Sequence, residues 1–338
     1  MTIKLTRNIF TLSRVWNEIL KKNKRLKPTQ SFEYYIFLYL TFYARISRIK
    51  RYRIVFLYYR EEQCECIIPL IINNKSHEIN SISCFGRLDY DDIISSTTSP
   101  EFIRKVINVI AKQFPGYTLL WQNINEDSIL YSILKSKIIF QEPCVKIELP
   151  LTYSDYYLSI SKSQRQNIRT AYNRVERDGI DIVLKIYDHN NPLRGNIWTK
   201  CENMYELRHN IQSSNLFFNY INRIRNAYHH VLNRHPLRKI FVLFSNDTPI
   251  AYMAGLVDIE KKNYYVPRLC INEIYKKYSP GIILLNETIK YLISKGYNCI
   301  DLMKGEEQYK YSMGGTMHSN YYLNLSLDNL KEYVTYTT

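Results

Sequence analysis

Apolar and polar residues along the first half of the chain predict strands and helices in mixed order. The run from Arg53 to Ile72 has two strand-like apolar stretches on either side of the polar residues 61–63, which predicts a β-hairpin. Apolar residues at helical spacing predict a helix from Pro100 to Phe114. Strands at 118–121 and 145–150, with a short helix between them, complete this half.

The second half has a different pattern, in which a meander of strands is followed by a helix and a further strand. Before the meander, a helix is expected from Asp155 to Gly179, where the glycine is a natural helix end. The later elements are expected to be helices at 197–212 and 217–234, strands at 239–245, 250–258 and 263–269, a helix at 280–295, and strands at 299–303 and 321–326.

The length of the chain indicates two domains. Its 338 residues are more than twice a typical domain of about 150 residues. Hydrophobic residues make up 46% of the chain, which is enough for two cores. We predict an α/β (α+β) protein with mixed sheets flanked by helices, divided into residues 1–152 and 153–338.

Positive charge is concentrated near the start of the chain. The formal net charge is +15, and residues 1–60 hold fourteen of the basic side chains but only the acidic residues Glu18 and Glu33. Such a region attracts an anionic membrane or another polyanion. An alternative is compositional drift, since the chain is also rich in Ile, Asn and Tyr; both interpretations remain open.

Location and metal content are predicted from what the sequence lacks. The opening residues show no secretory signal, and the apolar stretch from Tyr34 to Ile46 is shorter than a membrane-spanning helix. We therefore expect a cytoplasmic protein, at most peripheral to the membrane, with that stretch as a buried helix. The seven cysteines are expected to be reduced thiols. His229, His230 and His235 lack a metal-binding spacing, so no metal is expected and the histidines are predicted to be solvated.

A strand followed by a helix start at Ser279 forms a candidate anion site. Ser279 stands at the N-cap and Pro280 at the first helical position. The free amides there and the positive end of the helix dipole favour a phosphate, and Gly281 permits close approach.

A second polar group follows the strand 299–303. Asp301 interrupts an apolar strand, and a carboxylate there needs either a structural partner or a chemical role. Lys304, Glu306, Tyr309 and Lys310 come next, at the end of a strand where α/β sheets place their ligands. An ordinary polar loop is the alternative.

Five segments in order resemble the CelD/BcsL-type acetyltransferases, a bacterial family linked to cellulose and other exopolysaccharide biosynthesis. They are SKSQRQNIRTAYNRVERDG, YELRHN, PIAYMAGLV, SPGIILL and IDLMKGEEQYK. That family is similar in fold to the FemABX peptidyltransferases, which implies tandem GNAT (acyl-CoA N-acyltransferase) domains. It also implies that acetyl-CoA or another acyl-CoA donates an acyl group to an amine, plausibly on an amino sugar or a precursor of a cell-surface polysaccharide.

The resemblance also implies where the donor binds. The strand 264–269 would part from the strand 299–303, and backbone groups near Val266 and Arg268 would hold the pantetheine arm. The amides of Gly281, Ile282 and Ile283, next to Ser279, would bind the pyrophosphate.

By the same resemblance, Tyr309 is the expected general acid, and Asp301 or Glu306 is the expected base. The substrate-binding residues that the family pattern implies are Arg208, Arg165, Asp89, Tyr90, Asp92, Lys304 and Lys310. A salt bridge to the loop 304–307 is the alternative for Arg208.

Two departures from the family pattern leave other functions open. The chain has no glycine-rich Q/RxxGxG/A loop, and Lys304 stands where an arginine is common. One alternative is a FemABX-like aminoacyl-tRNA-dependent peptidyltransferase, in which the basic N-terminal region would contact tRNA. Another is a non-catalytic scaffold of a polysaccharide synthase.

Overall fold

The protein, represented by a computed structural model, is described over residues 1–39, 51–82, 89–208 and 232–328. It divides into two compact units, unit 1 with Met1–Pro143 and Ser319–Thr338, and unit 2 with Cys144–His318. The division expected from sequence, 1–152 and 153–338, differs at both ends of the second half. Residues 144–152 join unit 2, and residues 319–338 return to unit 1.

Unit 1 contains the predicted hairpin and the predicted helix after it. Its first six strands are β1 (Thr2–Thr6), β2 (Tyr52–Glu61), β3 (Cys64–Asn73), β4 (Glu78–Ser81), β5 (Ile94–Ser95) and β6 (Thr118–Asn125). Its described helices are α1 (Ser13–Lys22), α2 (Phe32–Leu38), α3 (Pro100–Gln113) and α4 (Ile129–Leu134).

Unit 2 contains the predicted order of a strand meander, a helix and a strand. The remaining strands of the chain are β7 (Ile138–Glu148), β8 (Ile182–Asp188), β9 (Arg238–Ser245), β10 (Thr248–Asp258), β11 (Asn263–Ile271), β12 (Cys299–Lys304) and β13 (Thr316–Ser326). The remaining described helices are α5 (Tyr153–Ser159), α6 (Lys162–Arg177), α7 (Gly195–Arg208), α8 (Pro280–Ser294) and α9 (Gln308–Ser312).

The same strand order occurs in both units. Strands β1-β2-β3-β4 are antiparallel neighbours, and so are β8-β9-β10-β11. In each unit a helix follows, α3 or α8, and leads to a strand parallel to the fourth one, β6 or β12. A last antiparallel strand completes each sheet, from β13 in unit 1 and β7 in unit 2. These last pairings explain why the unit boundaries fall inside β7 and β13.

The sheet of unit 2 carries apolar side chains on both faces, as expected for a sheet with helices on each side. Phe241 and Leu243 of β9 pack with residues of α6 and α8, whereas Val242 and Phe244 pack with residues of α7 such as Trp198. The end of α7 and the start of α8 are thereby fixed against the sheet.

The helix predicted from Asp155 to Gly179 is two helices, α5 and α6. Ile160 is extended, with ψ 158°, and the Ser161 hydroxyl accepts a hydrogen bond from the Gln164 N–H as the cap of α6. A serine cap favours a new helix start over a continuous one. The helix predicted at 217–234 lies largely outside the described residues, as do residues 40–46 of the predicted buried helix.

Candidate functional site

A cavity of about 330 Å³ lies in unit 2, at the start of α8. Five of the residues singled out from the sequence line it: Arg208, Ser279, Gly281, Ile282 and Tyr309. The remaining lining residues are Leu269, Ile271, Glu273, Lys276, Leu285 and Met313. Separate segments of the chain therefore meet at one site in the order that the sequence predicted.

The strands β11 and β12 part beside this cavity. They pair in parallel at three positions, from Asn263 with Cys299 to Tyr265 with Asp301. Both strands continue past these pairs, β11 to Ile271 and β12 to Lys304, without further registered partners between them. The two strands thus stop pairing after Tyr265 and Asp301, which is the divergence that the family resemblance implied.

A bulge bends β11 where the strands separate. Ala254 of β10 faces Arg268 and Leu256 faces Tyr265, so Gly255 alone stands opposite Val266 and Pro267. Such a bulge redirects a strand. Gly255 permits it, because a Cβ atom there would lie 2.1 Å from the Tyr265 carbonyl oxygen.

The two predicted backbone positions on β11 differ in their side chains. Val266 is buried in the core beneath α8. The Arg268 guanidinium lies against α7, where it pairs with Glu202 at 2.5 Å and stacks over Tyr205. Any contact of Arg268 with a ligand in the cavity is therefore a backbone contact.

The N-terminus of α8 has an unusual cap. Ser279 adopts the left-handed conformation with φ 52°, and its hydroxyl accepts no capping bond. Its carbonyl oxygen accepts the N–H of Ile282 at 3.0 Å and that of Ile283 at 3.3 Å, whereas the Gly281 N–H makes no such bond within the described chain. Of the three amides predicted to bind a pyrophosphate, Gly281 is therefore the one that remains free to donate, and two already have an acceptor.

The missing side chain of Gly281 shapes the cavity wall. A Cβ atom at this position would lie 3.2 Å from the Cγ2 of Ile271. Lys276 lines the same side, and its ion pair with Glu273 is solvent-exposed. A phosphate at Gly281 would thus have a backbone donor and a nearby cation, the combination that favours anions at helix starts.

Tyr309 lies on α9 and lines the cavity. Burial raises the pKa of its hydroxyl, Glu307 raises it further, and Arg208 acts in the opposite direction. The phenol therefore stays protonated through the neutral range. A protonated hydroxyl at the cavity wall is a suitable proton donor.

Arg208 ends α7 and lines the cavity near Tyr309. Its Nη1 donates to the Leu269 carbonyl oxygen at 2.6 Å, on the free part of β11. Within the described chain it forms no salt bridge to residues 304–307, the alternative considered from the sequence. The guanidinium has five N–H donors and this bond uses one of them. Its charge also lowers the pKa of Glu307 and acts on Tyr309.

Neither predicted base lines the cavity. The Asp301 carboxylate accepts the Met303 N–H at 2.8 Å and lies 3.7 Å from His318, so it supports the bulge in β12. Glu306 is exposed. The structure thus gives Asp301 a structural role, and the identity of the base stays a prediction.

Lys310 is a correction to the predicted substrate-binding set. Its ammonium is buried, pairs with Glu307 at 2.9 Å, and donates to the carbonyl oxygens of Lys304 and Gly305 at 2.6 and 3.0 Å. An ammonium has three donors, so these partners use all of them. Lys310 therefore holds the turn between β12 and α9 and does not reach a substrate. Lys304 contributes its carbonyl to this turn, and its side chain does not line the cavity.

Arg165 is a second correction. Its Nη1 donates to the carbonyl oxygens of Leu158 and Ile160 at 2.8 and 2.9 Å. These carbonyls end α5, where a cation compensates the helix dipole. Arg165 thus caps a helix, and it does not line the cavity.

Asp89, Tyr90 and Asp92 belong to unit 1. Asp92 accepts the first amides of α4, Ile129 N–H at 2.7 Å and Leu130 N–H at 3.3 Å, and burial raises its pKa to about 7. Tyr90 is buried with the Lys27 ammonium 3.7 Å from its ring centre. Asp89 offers its carbonyl oxygen to Asn320. A contact between these residues and a substrate stays a prediction.

His235 corrects the expectation that the histidines are solvated. It is fully buried, its Nδ1 accepts the Leu237 N–H at 3.1 Å, and burial lowers its pKa to about 4. His229 and His230 lie outside the described residues. Over the described part of the chain, no cluster of three metal-ligating side chains occurs, and no helix is long and apolar enough to cross a membrane.

Several cavity residues were not singled out from the sequence. Lys276 precedes the helix start by three residues, and a cation next to a candidate anion site was the available signal. Leu269, Ile271 and Met313 are ordinary apolar residues whose exposure to a cavity depends on where the strands part.

Comparisons with known proteins agree with this geometry. Residues 162–311 match the protein family described as "Acetyltransferase (GNAT) domain". This range includes β11, α8 and β12, and all the residues that line the cavity except Met313. A search of curated proteins gave no match.

Solved structures share the fold along nearly the whole chain. A conserved protein of unknown function from Bacteroides thetaiotaomicron has 13% identity and a TM-score of 0.60, covering 96% of this chain and 100% of its own. FemX has 9% identity and a TM-score of 0.59, covering 99% and 100%. The C-terminal domain of a protein described as a lysylphosphatidylglycerol synthetase from Agrobacterium fabrum has 10% identity and a TM-score of 0.54, covering 97% of both chains. The chain therefore has a tandem GNAT-like fold.

Proposed function

We propose that unit 2 is an acyl-CoA-dependent N-acyltransferase. One observation carries the proposal: a cavity lies where two parallel strands part, with the free Gly281 amide at one side and the Tyr309 phenol at another. The match of residues 162–311 to the GNAT domain family supports it.

The chain's own residues supply the binding contacts for such a donor. The Gly281 N–H and the start of α8 would hold a phosphate, with Lys276 adding positive charge. The free backbone of β11 beyond Tyr265 would pair with the amides of a pantetheine arm. When bound, the donor supplies a thioester carbonyl, which an amine can attack.

Tyr309 is the proposed proton donor in the transfer. Its hydroxyl lines the cavity and is protonated at neutral pH, so it would be able to deliver a proton to the departing sulfur. Arg208 would orient an anionic or hydroxyl-bearing acceptor, because its guanidinium faces the same cavity. An amine acceptor must lose a proton before attack, and with Asp301 engaged by the backbone, Glu306 or water is the remaining candidate for accepting it.

The proposal also includes the chemical class of the acceptor amine. The resemblance of the five sequence segments to the CelD/BcsL-type family points to an amine of an amino sugar or of a precursor in exopolysaccharide biosynthesis.

Aminoacyl transfer from a tRNA is the second candidate. The fold similarity to FemX, which extends over 99% of this chain, favours it. Binding measured against salt separates the two: saturable acetyl-CoA binding supports the first candidate, whereas tRNA affinity that falls steeply with salt supports the second. A non-catalytic scaffold would bind neither donor productively, and its role would survive changes at Tyr309.

Protection against heat tests the proposed donor site. Acetyl-CoA should raise the melting temperature of the wild-type protein, because a ligand of the folded state stabilises it. Gly281→Trp should abolish the shift, since the indole would obstruct the start of α8. Ser294→Trp, an exposed position near the other end of the same helix, is the matched control and should keep the full shift.

Each negative result has a distinct meaning in this experiment. An equal shift in wild type and Gly281→Trp would exclude the start of α8 as the donor site. No shift in the wild-type protein would exclude acetyl-CoA as the donor.

A further inference from the structure

We infer that the N-terminal segment of unit 1, residues 1–25, docks on the surface of an anionic lipid bilayer. The segment contains one acidic residue, Glu18. Its seven basic residues are all exposed: Lys4, Arg7, Arg14, Lys21, Lys22, Lys24 and Arg25. A cluster of this size is the kind that anionic lipid attracts.

Exposed apolar residues accompany these cations. Ile3, Leu5 and Phe10 are 37%, 42% and 50% exposed. Ile3 and Leu5 lie on the same face of β1, opposite Tyr59 and Leu57 of β2. Among the described strands of unit 1, β1 pairs with β2 alone, and its residues 2–5 are exposed on both faces. This part of the fold buries little of its own apolar surface.

The helix that follows turns its basic side outward. Trp16 and Ile19 of α1 are buried, whereas Arg14 and Lys21 are exposed and lie two helical turns apart on one side. Phe10 precedes Arg14 by four residues. The exposed Phe10 therefore lies just before α1, whose exposed side carries the two cations.

Part of this charge has no ion-pair partner, whereas Lys22 pairs with the buried Glu65 at 3.2 Å. Within the described chain, Lys4, Arg7 and Lys21 form no ion pair. Arg14 pairs with Glu18, but their side chains are 91% and 46% exposed, and such a pair contributes little. The charge is thus available to an external partner.

An anionic bilayer accounts for both features of the segment, the cations and the apolar side chains. A polyanion such as RNA or an acidic polysaccharide would account for the cations alone. Pairing of β1 with a strand from another protein is disfavoured, because the strand is short and carries Lys4, both of which protect sheet edges. Interfacial binding combines buried apolar groups with attraction to anionic lipid headgroups.

Vesicle co-sedimentation of the full chain tests the inference. The probes are vesicles of phosphatidylcholine alone and of phosphatidylcholine with about one third phosphatidylglycerol, a fraction chosen to give a clear negative surface potential. The protein should bind the second kind and not the first. Lys4→Gln with Arg7→Gln should weaken binding about 25-fold, at about fivefold for each cation.

Two further sets of variants separate a local surface from net charge. Ile3→Ser with Leu5→Ser should weaken vesicle binding at least about tenfold, and Phe10→Ser is a second apolar variant in case β1 needs its own residues to fold. Arg194→Gln with Lys200→Gln removes two exposed cations from unit 2 and should leave binding within about twofold of wild type, since the charge lies outside the segment. Melting curves check that each variant is folded.

Three outcomes would overturn the inference. The first is no binding to the phosphatidylglycerol vesicles. The second is an equal loss in the Arg194/Lys200 variant, which would mean that net charge alone acts. The third is full vesicle binding by folded apolar variants together with tight binding of heparin or RNA, which would make the segment a polyanion site.

Discussion

Tyr309 and Lys310 are neighbours with opposite environments. The phenol of Tyr309 lines the cavity, while the ammonium of Lys310 is buried among carbonyl oxygens and the Glu307 carboxylate. The lysine fixes the turn that carries α9, and the tyrosine is thereby placed at the cavity wall. Two residues that look equally polar in the sequence thus have separate roles, one at the site and one beneath it.

Replacement of Tyr309 by Phe tests the proposed acid. If the phenol protonates the departing thiolate, Tyr309→Phe should lower turnover by about 100-fold or more, the usual contribution of a positioned acid. The ring stays in place, so the melting temperature should change little. Steady-state rates with acetyl-CoA and an amine acceptor measure the effect.

Tyr311→Phe is the control, because it removes a phenol from the same short helix without touching the cavity. Its turnover should match that of wild type. Unchanged turnover in Tyr309→Phe would remove this residue from the mechanism.

The pairing of β11 with its two neighbours shows why this strand separates from β12. It pairs with β10 along most of its length but with β12 at only three positions, and its bulge lies just after the last of these. Gly255 and Pro267 face each other at the bulge, one without a side chain and the other without an N–H. The residues that allow β11 to bend away from β12 therefore lie in β10 and in β11 itself.

Adding one methyl group at Gly255 tests whether the bulge is required. The Cβ atom of Gly255→Ala would lie 2.1 Å from the Tyr265 carbonyl oxygen and 2.6 Å from the Tyr264 ring. Backbone must move to remove the overlap, so unfolding in urea should show a loss of about 3 kcal/mol.

Gly281→Ala provides the comparison at a second glycine of unit 2. Its Cβ atom would meet a side-chain methyl group at 3.2 Å, which can shift. Its stability should stay within about 1 kcal/mol of wild type. Equal urea midpoints for the two alanine variants would contradict the requirement for glycine at 255.

The molecule as a whole is two units that repeat one strand order. Each unit has four antiparallel strands, then a helix and a parallel strand, and each sheet is completed by part of β7 or β13. The donor cavity belongs to unit 2 and the cationic segment to unit 1. The division agrees with a fold shared with FemX along nearly its full length.

Acid should destabilise the folded protein through His235. Burial, helped by the nearby charge of Arg238, lowers the pKa of His235 from 6.5 to about 4. Between these values this side chain takes up a proton in the unfolded chain but not in the folded protein, so the contribution of His235 to stability falls as the pH drops from 6.5 towards 4. Asp92, whose pKa is raised to about 7, acts in the opposite direction over this range. The loss from His235 should approach about 3 kcal/mol.

Urea unfolding at several pH values measures this loss. His235→Asn should lack this loss, because the amide oxygen can accept the Leu237 N–H without titrating, so the difference between its curve and that of wild type isolates the effect of His235. His77→Asn, at an exposed position, should keep the wild-type slope. Parallel curves for wild type and His235→Asn from pH 6.5 to 4 would contradict the buried neutral histidine.

Local signals in the sequence were sufficient to predict the helices and strands named below and part of the candidate site. The hairpin at 53–72, the helix from Pro100 and the order of β9 to β12 follow from apolar periodicity and from turn and cap residues, which act over a few positions. The helix start at Ser279 and Pro280 was predictable for the same reason, and the two-unit fold followed from length and resemblance.

Local patterns in the sequence do not identify the partners of a side chain or a strand, and the tertiary structure decided these. The side chains of Arg165 and Lys310 look like those of any exposed cation in the sequence, yet each donates to backbone carbonyls five to seven residues away, at the turn between two elements. The return of residues 319–326 to unit 1 depends on pairing with β6, almost two hundred residues earlier. Periodicity reports which face of an element is apolar, but the partner that covers this face is chosen only when distant segments pack together.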